Sequence, residues 1–323
     1  MMIQKVESQE KFQFQAEMLA NKVKKRFKHL HKRFAVQNIE VFRLYDGDIP
    51  EIRAVVDWYA GHIVIAEYKR KQSSPEWLPV MGAAVADVLN IPADNIHLKE
   101  RFAGVQEGNR YERLDHTDRK IVVSERDFLF YVNLWDYVDT GLFSDHRNTR
   151  QRVREEAGGK AFLNLYCYTG SFSCYAARGG ALSTVSVDRS ETALRWAREN
   201  MQLNGIGEES NTWVQADTFD FLNHARREHH TFDLAVVDPP SFSTSRDKMH
   251  EFDISADHPR LLSAVVAVMR PGSTIYFSTN HQNFVPHMDR LEITESTEIT
   301  AKTIPEDYAR KNKTIHRCWK IIV

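Results

Sequence analysis

The stretch Asn164-Leu165-Tyr166-Cys167-Tyr168-Thr169-Gly170-Ser171-Phe172 ends an apolar segment in a turn and leads into a helical pattern. It opens a series of short apolar strands, each followed by a helical segment. The predicted strands are Ala161–Cys167, Ser183–Asp188, Thr212–Gln215, Phe232–Asp238 and Ser273–Ser278. The helices between them include Glu191–Leu203 and Pro259–Arg270, the second closed by Pro271-Gly272. Repeated strand–helix units predict a parallel sheet covered by helices on both faces.

Two further strands follow this alternation, at Ile293–Thr303 and Thr314–Val323, with no helix predicted between them. The predicted fold class is therefore α/β, a doubly wound sheet that ends in an antiparallel hairpin. This is the architecture of class I, Rossmann-like, S-adenosylmethionine-dependent methyltransferases, whereas ordinary dinucleotide-binding folds lack the hairpin. In such an open sheet, ligands bind beyond the carboxyl ends of the strands.

A basic amphipathic helix is predicted from Phe12 to about Phe34, before the alternating region. Its apolar residues follow one another mostly at intervals of three or four. Its other face carries basic residues and no acid: Lys22, Lys24, Lys25, Arg26, Lys28, Lys32 and Arg33. Such a face is either simply solvated or turned toward phosphates, and the missing acids favour the second interpretation. The predicted RNA-binding residues are therefore Lys24, Lys25, Lys28 and Lys32.

The region between the basic helix and about residue 137 has the pattern of a small α+β domain. Its predicted strands are Ile39–Tyr45, Ile52–Tyr59, His62–Tyr68, Asn95–Lys99, Lys120–Ser124 and Phe128–Leu134. A helix is predicted from Trp77 to about Val88. The predicted domains are thus the basic helix at 1–36, the α+β domain at 37–137, also expected to contact RNA, and a methyltransferase domain at 138–323.

The composition sets limits on the class of protein. With 42% hydrophobic and 27% charged residues, the 323-residue chain is globular and long enough for about two domains. The net charge of −1 excludes a uniformly basic nucleic-acid coat but allows a local basic face. The sequence has three scattered cysteines, no metal-ligand spacing, no signal peptide and no apolar run of membrane length. We therefore expect a cytoplasmic protein without a metal site or a membrane partner.

Acidic residues follow the predicted strands, where a ligand would bind. Asp188 lies 24 residues after Asn164, about where an acid accepts hydrogen bonds from ribose hydroxyls. The Gly-x-Gly-x-x-Gly fingerprint of a pyrophosphate site is missing, so S-adenosylmethionine fits better than a dinucleotide. Asp217, after the third strand, either accepts a hydrogen bond from the adenine amino group or caps the next helix.

The fourth strand ends in Asp238-Pro239-Pro240-Ser241-Phe242, the most specific local pattern in the chain. The two prolines either hold Asp238 rigidly at the methyl donor or form only a strand-to-loop turn. Phe242 can stack on a flipped base. The predicted catalytic residues are Asp238, Pro239, Pro240 and Phe242.

Four stretches carry a resemblance to a known family: Val138–Arg147, Asn164–Phe172, Asp238–Ser243 and Ile315–Trp319. Together with the basic helix and residues 43–50, they resemble the C-terminal, guanine-N7 methyltransferase half of the bifunctional 23S ribosomal RNA methyltransferases of the RlmKL family. The fused N-terminal half is missing, so the resemblance implies either a free-standing version or one piece of the fusion. It also implies 23S rRNA or a large-subunit precursor as the partner.

The resemblance further implies which residues surround S-adenosylmethionine. Asp188 and Asp217 bind it, a loop after the first strand lies around it, and Asp145 and Arg147 approach it from the preceding segment. The predicted cofactor-binding set is Asp145, Arg147, Asn164, Tyr168, Thr169, Gly170, Phe172, Asp188, Asp217 and Asp238. For Arg147 a place on the helix surface is the alternative, and the role of His281 stays open.

The cysteines bear on which base atom accepts the methyl group. Methylation at carbon-5 of a pyrimidine needs a cysteine that adds to the ring, and neither Asp238–Ser243 nor Ser278–Asn283 contains one. The three cysteines of the chain are expected to be buried fillers. Transfer to nitrogen remains, most directly to guanine N7, whose lone pair carries no proton.

Two alternatives to N7 transfer stay open. The first is methylation of an exocyclic amine, guanine N2 or adenine N6, whose enzymes usually carry an aromatic residue directly after the two prolines; here Ser241 intervenes. The second is a non-catalytic ribosome-assembly factor that retains the cofactor fold.

Overall fold

The structure, a computed structural model, describes residues 2–101, 113–243, 252–310 and 313–323. The chain divides into two compact units, Met1–Thr140 and Gly141–Val323. The basic helix does not form a segment of its own, because its buried face is part of the core of the first unit. The division falls three residues after the boundary proposed from the sequence.

The first unit is a four-stranded sheet with two long helices and a separate hairpin. The helices are α1 (Met2–Val36) and α2 (Trp77–Leu89). The strands are β1 (Val41–Asp46), β2 (Ala54–Tyr59), β3 (His62–Tyr68), β4 (Ile96–Arg101) and the hairpin strands β5 (Ile121–Glu125) and β6 (Phe128–Val132). Sheet order is β1-β2-β3-β4, antiparallel except for β3 and β4, which are parallel because α2 crosses between them. Asn90 ends α2 in the left-handed region, with φ 55°.

The second unit is a seven-stranded sheet with helices on both faces. Its strands are β7 (Ala161–Leu165), β8 (Ser183–Asp188), β9 (Asn211–Gln215), β10 (Phe232–Val237), β13 (Met269–Thr279), β14 (Glu295–Glu298) and β15 (Arg317–Ile322). Its helices are α3 (Arg147–Glu156), α4 (Ser171–Arg178), α5 (Glu191–Leu203), α6 (Thr218–Arg227), α7 (Ile254–Val266) and α8 (Thr300–Thr303). A small ribbon pairs β11 (Phe242–Ser243) with β12 (Phe252–Asp253).

The strand order β14-β15-β13-β10-β7-β8-β9 confirms the predicted fold class. Strands β9, β8, β7, β10 and β13 are parallel, and β15 is antiparallel to both of its neighbours. From β7 the chain turns one way to β8 and later returns to the other side as β10. The carboxyl ends of β7 and β10 therefore lie at the switch in strand order, where open α/β sheets bind their ligands.

The structure corrects two predicted boundaries around α7. The helix begins at Ile254, because the side chain of Asp253 accepts a hydrogen bond from the backbone N–H of Ser255 and caps it. Pro259 lies inside the helix, near its N-terminal end, rather than at its start. The next strand already begins at Met269, which pairs with Phe232 before a register shift. The predicted helix end at 270 is therefore wrong, and Pro271-Gly272 belongs to the strand.

A third correction concerns the segment between the last two strands. The predicted strand over 293–303 is extended only at β14, and the chain then forms the short helix α8. The backbone N–H of Ile299 still bonds to Cys318 in β15, and the turn is then closed from Ile304 to the carbonyl oxygen of Thr300. The terminal antiparallel pair is present, but a helical turn separates its strands.

Candidate active site

The loop after β7 is held in an unusual backbone conformation. Tyr166 and Tyr168 both have positive φ, 57° and 49°, and Gly170 follows at 73°. Such conformations cost free energy in residues with a side chain, so the surroundings must fix them. Thr169 is one anchor: its hydroxyl donates to the carbonyl oxygen of Gly141 at 2.5 Å, and its own carbonyl accepts from the Asn200 side chain at 2.9 Å.

Asp188, at the carboxyl end of β8, is the second anchor of this loop. Its Oδ2 accepts from the backbone N–H of Tyr168 at 3.0 Å, and its Oδ1 accepts from that of Ser190 at 2.9 Å. Burial raises the pKa of Asp188, and hydrogen bonds from the backbone N–H groups of Ser190, Tyr168 and Arg189 act in the opposite direction. The carboxylate oxygens are hydrogen-bond acceptors, so Asp188 suits a ligand that offers hydroxyl groups.

Asn164 and Phe172 lie beneath the loop, inside the unit. Asn164 is fully buried and donates through Nδ2 to the hydroxyl of Ser173 at 2.9 Å, which in turn bonds to Ser186 at 2.7 Å. These three side chains join β7, α4 and β8. Phe172 is buried too, with its ring edge toward His146 at a centroid distance of 5.7 Å. Their predicted contact with the cofactor stays a prediction, since their contacts in the structure are with the scaffold of the loop.

Asp217 caps the helix that follows β9. Its Oδ1 accepts from the backbone N–H groups of Phe219 at 2.8 Å and Asp220 at 3.4 Å. The capping role that the sequence left open is therefore realised. In the part of the chain that the structure describes, Oδ2 accepts no hydrogen bond, so the capping role leaves an acceptor for an adenine amino group.

Asp238 follows β10 and is held from one side by the neighbouring strand. Ser278 donates from its hydroxyl to Oδ1 of Asp238 at 2.6 Å, and Oδ2 lies 3.6 Å from Nε2 of His146. Pro239 is buried, and Phe242 is 46% exposed, so its ring is accessible for stacking. Ser241, the residue that separates the prolines from Phe242, donates to the side chain of Asn280.

Two histidines that were not predicted as site residues lie beside Asp238. The rings of His146 and His316 stack at a centroid distance of 4.0 Å and an interplanar angle of 11°. Nδ1 of His316 lies 2.9 Å from Oδ2 of Asp145, and its Nε2 lies 3.1 Å from the hydroxyl of Thr303. Burial lowers the pKa of His146, and the neighbouring His316 lowers it further. The signal was present, since His146 and His316 fall in two of the four stretches that carry the family resemblance.

The two histidines and Asp145 also lie close enough together to form a candidate metal cluster, judged by distance alone. One ligand atom from each of Asp145, His146 and His316 lies within 4.8 Å of the others. A histidine binds a metal along the lone pair in its ring plane, and the two stacked planes are nearly parallel. One ion cannot lie in both planes, so the arrangement favours hydrogen bonding over shared metal ligation.

Arg147 begins α3 and is buried, so the alternative of a helix-surface position is wrong. Its side chain is 1% exposed, and Nη2 lies 2.8 Å from Oδ2 of Asp307. Its Nε donates to the carbonyl oxygen of Ser144 at 3.1 Å. These contacts fix the turn that carries Asp145 and His146, and a direct contact of Arg147 with the cofactor stays a prediction.

The three cysteines are buried, as expected. All three are free thiols inside the unit. Burial raises the pKa of Cys167 and Cys318, and raises that of Cys174 to about 12. A thiol must ionise to act as a nucleophile, so none of them is activated.

The role of His281, which the sequence left open, is not defined by its contacts. His281 uses its backbone N–H to bond to the hydroxyl of Thr279, and its buried Nδ1 has no partner among the described residues.

The predicted RNA-binding lysines lie on α1 of the first unit. Lys24, Lys25, Lys28 and Lys32 are all exposed. An acid from another element does reach this helix, because Asp48 pairs with Lys22 at 2.9 Å. Within the described residues, the four predicted lysines form no ion pair and remain available to phosphates.

The fold and the residues at its strand ends define a class I S-adenosylmethionine-dependent methyltransferase, with S-adenosylmethionine as the cofactor. The family of S-adenosylmethionine-dependent methyltransferases matches residues 48–304, and the chain belongs to this family. In the described residues, no helix is both long and apolar enough to cross a membrane.

Similar proteins include curated enzymes and solved structures. Ribosomal RNA large subunit methyltransferase K of Neisseria meningitidis serogroup B is 43% identical over 311 residues, which cover 94% of this chain and 86% of that protein. Ribosomal RNA large subunit methyltransferase K/L of Magnetococcus marinus is 39% identical over 95% of this chain but only 43% of its own length. The chain thus spans less than half of the K/L protein. A methyltransferase crystallised with SAH matches with a TM-score of 0.78 at 22% identity, over 96% of this chain and 82% of that one, and shares the fold.

Proposed function

We propose that this chain transfers the methyl group of S-adenosylmethionine to N7 of a guanine in 23S rRNA, in the cytoplasm. The observation that carries the proposal is the similarity to the Neisseria methyltransferase K, which extends over nearly all of this chain and most of that protein. The likeness supports ribosomal RNA as the substrate class. The choice of N7 rests on the residues of the site.

The strand-end residues supply the acceptors and the enclosure that the cofactor needs. Asp188 would accept from the ribose hydroxyls, Asp217 from the adenine amino group through its unused Oδ2, and the loop at Tyr168–Gly170 would cover the ligand. When bound, S-adenosylmethionine supplies an electrophilic methyl group on a positively charged sulfur. Asp145 would approach the cofactor from the preceding segment while its Oδ2 holds the ring of His316.

The residues after β10 would position the base. Phe242, with its exposed ring, stacks on a flipped guanine, and the two prolines keep that loop rigid. Asp238 stabilises the positive charge that develops on the guanine as N7 is methylated. Guanine N7 has no proton to lose, so direct transfer needs alignment more than a base. The three thiols support direct transfer, because all are buried and burial raises their pKa values, which disfavours the thiolate that an adduct with the RNA would need.

The surface of α1 would hold the RNA through its phosphates. Four exposed lysines at 24, 25, 28 and 32 share one helix, and neutralising phosphates with lysines gives affinity without sequence preference. The sequence specificity would then lie with the residues that receive the flipped base.

The proposal is tested by methyl transfer to RNA that lacks the modification. Purified chain is incubated with isotope-labelled S-adenosylmethionine and unmodified 23S rRNA transcript, with 16S rRNA as the control, and nucleosides are analysed by mass spectrometry. We expect labelled 7-methylguanosine from 23S rRNA only. Labelled N2-methylguanosine or N6-methyladenosine would establish the amine alternative instead. Binding of both cofactor and RNA without any transfer would favour the assembly factor.

A further inference from the structure

The imidazole of His146 is buried beside the active site without a hydrogen bond. The residue is 4% exposed, and Nδ1 has no partner among the described residues. Nε2 points between two carboxylates, 3.6 Å from Oδ2 of Asp238 and 3.7 Å from Oδ2 of Asp145. Both distances are longer than a hydrogen bond. A buried polar group left in this state costs free energy, so it calls for an explanation.

The two carboxylates differ in what they can still accept. Oδ2 of Asp145 already has Nδ1 of His316 at 2.9 Å. Ser278 bonds to Oδ1 of Asp238, and in the described parts of the chain Oδ2 of Asp238 accepts no hydrogen bond. The vacant acceptor closest to Nε2 is therefore on the residue proposed to stabilise charge on the base.

The surroundings of His146 fix its ring and favour a proton on Nε2. His316 is held at both nitrogens, by Asp145 and Thr303, and stacks flat against His146 as a fixed platform. Two carboxylates face Nε2, which favours the tautomer with the proton on that side. The charged and titratable groups that face the ring are Asp145 from its own turn, Arg150 from α3, Asp238 after β10 and His316 before β15.

We propose that His146 is a positioning residue for Asp238, donating from Nε2–H to Oδ2 when substrate occupies the site. This extends the proposed function. A small shift that shortens 3.6 Å to about 2.9 Å would fix both carboxylate oxygens, one by Ser278 and the other by His146. Hydrogen bonds at catalytic groups are often long in unliganded structures and tighten in the complex. The carboxylate would then be oriented before charge develops on the base.

The alternative is that His146 merely fills space, and the chain offers a matched control for it. His258 is fully buried in the same unit, but both of its nitrogens are bonded: Nδ1 to the carbonyl oxygen of Ile254 at 2.8 Å and Nε2 to the backbone N–H of His287 at 2.9 Å. A substitution of His258 shows how the loss of a buried imidazole that does not contact Asp238 changes the stability and activity of the unit.

The test compares His146→Phe, His146→Gln and His258→Gln in steady-state methylation. Phe keeps a ring for stacking but has no donor, whereas the amide of Gln can place an N–H near the position of Nε2. We expect His146→Phe to lower kcat about 10- to 100-fold, the effect of one hydrogen bond to a charged group, with the KM values within about twofold. His146→Gln should retain most of kcat, and His258→Gln should change only thermal stability.

A double-mutant cycle with Asp238→Asn tests the route of the effect. If His146 acts through Asp238, adding His146→Phe to Asp238→Asn should lower kcat less than about twofold further. Independent, multiplying effects would overturn the proposal, as would wild-type kcat in His146→Phe or an equal loss in His146→Gln.

A measurement without RNA keeps this inference separate from the proposed function. Ring ¹⁵N chemical shifts of His146 in the cofactor-loaded protein report which nitrogen carries the proton. We expect the Nε2–H form, with an Nε2 shift that changes in Asp238→Asn. An Nδ1–H form would overturn the inference even in an active enzyme. A wild-type chain that binds the cofactor but methylates no rRNA would contradict the proposed function alone.

Discussion

Two clusters of buried polar residues, one in each unit, differ in how completely their hydrogen bonds are made. In the first unit, Asp136 is fully buried and receives five donors. Oδ1 accepts from the N–H and the hydroxyl of Thr117, and Oδ2 accepts from Asp118, Asn133 and Arg113 at 2.9–3.2 Å. Burial raises the pKa of Asp136, but these hydrogen bonds outweigh it and hold the pKa well below its ordinary value.

The cluster in the second unit is incomplete. The imidazole of His146 is almost as deeply buried, yet it makes no hydrogen bond to any described residue, and within the same residues Oδ2 of Asp238 accepts none. A saturated cluster stabilises its unit and has nothing left to offer a ligand. The incomplete one costs stability and keeps acceptors and donors for substrate, as expected of an active site. The contrast would separate a structural carboxylate, Asp136, from Asp238, which is proposed to act in catalysis.

The largest expected effect is on turnover, and it would sharpen the contrast. Asp238→Asn removes the charge that is proposed to face the developing cation while keeping the shape of the side chain. We expect kcat to fall about 100- to 1000-fold, much more than S-adenosylmethionine affinity, with the unfolding temperature nearly unchanged. Single-turnover methylation and calorimetry check both parts. An equal loss in cofactor affinity would show that Asp238 binds rather than stabilises charge.

The same change in the first unit, Asp136→Asn, tests the saturated cluster. Asp136→Asn should destabilise the first unit by about 3 kcal/mol, because it faces buried donors with an amide N–H₂ group. Since the pKa of Asp136 is depressed in the fold, its stabilisation is present above the unfolded pKa of about 3.9 and is lost as pH falls below it. Urea unfolding at pH 7 and at lower pH measures this, with the exposed Asp94→Asn as control. A variant that keeps its stability but loses activity would break the comparison.

Asp188 is the intermediate case, because backbone N–H groups occupy both of its oxygens and yet it is predicted to bind ribose. Asp188→Ala should weaken S-adenosylmethionine binding by ~1.5–3 kcal/mol. Titration calorimetry measures the affinity of the variant for S-adenosylmethionine, and Asp220→Ala, a change at an exposed aspartate, is the control. Unchanged affinity would mean that Asp188 serves only the loop, and that satisfied carboxylates in this protein are structural.

The exposed lysines of α1 extend the comparison to the surface. Replacing Lys24, Lys25, Lys28 or Lys32 singly with Gln should lower the slope of log affinity for rRNA against log salt by about one unit per lost phosphate contact. Filter binding at several salt concentrations measures the slope. Lys22→Gln is the matched control, since Lys22 already pairs with Asp48. Equal slopes in all variants would leave the helix face merely solvated.

The smallest effect is expected from the thiols. Replacing Cys167, Cys174 and Cys318 together by Ser or Ala should leave methylation activity, with some loss of stability from altered packing. A fluorinated pyrimidine RNA should form no covalent adduct with the enzyme. A trapped adduct, or a folded triple variant that binds both ligands without transferring a methyl group, would restore a cysteine mechanism.

The sequence predicted the sheet well because its strands are apolar runs bounded by turns. Strand β8 and helix α5 have the predicted bounds. The errors lie where local signals compete. Pro271-Gly272 is a common helix stop, but pairing of Met269 with Phe232 draws that segment into β13. The run from 293 to 303 contains four threonines and two isoleucines, which favour a strand, and only tertiary contacts bend its second half into α8.

Of the residues in the candidate site, only those that directly follow a strand could be predicted from the sequence. Asp188, Asp217 and Asp238 could be selected from the sequence because the ends of parallel strands share one edge of the sheet. Contacts between distant segments could not. Asp145 and His316, which are hydrogen-bonded, are 171 residues apart, and Asp307, which accepts a hydrogen bond from Arg147, is 160 residues away from it. No local pattern encodes such pairs.

The insertion of β15 between β13 and β14 has a consequence for synthesis on the ribosome. Until β15 emerges, the backbone edge of β13 has no partner on that side, and His316 cannot reach Asp145. At roughly 5–20 residues per second, the 171 residues between these two side chains take ~9–34 s to translate. The edge of β13 is open for a shorter time, because Arg317 at the start of β15 follows Thr279 at the end of β13 by 38 residues. For roughly 2–8 s the nascent unit therefore carries an open sheet edge, a template for unwanted strand pairing. Only when β15 is inserted are the edge covered and the histidine pair assembled, so closure of the sheet and completion of the proposed active site coincide.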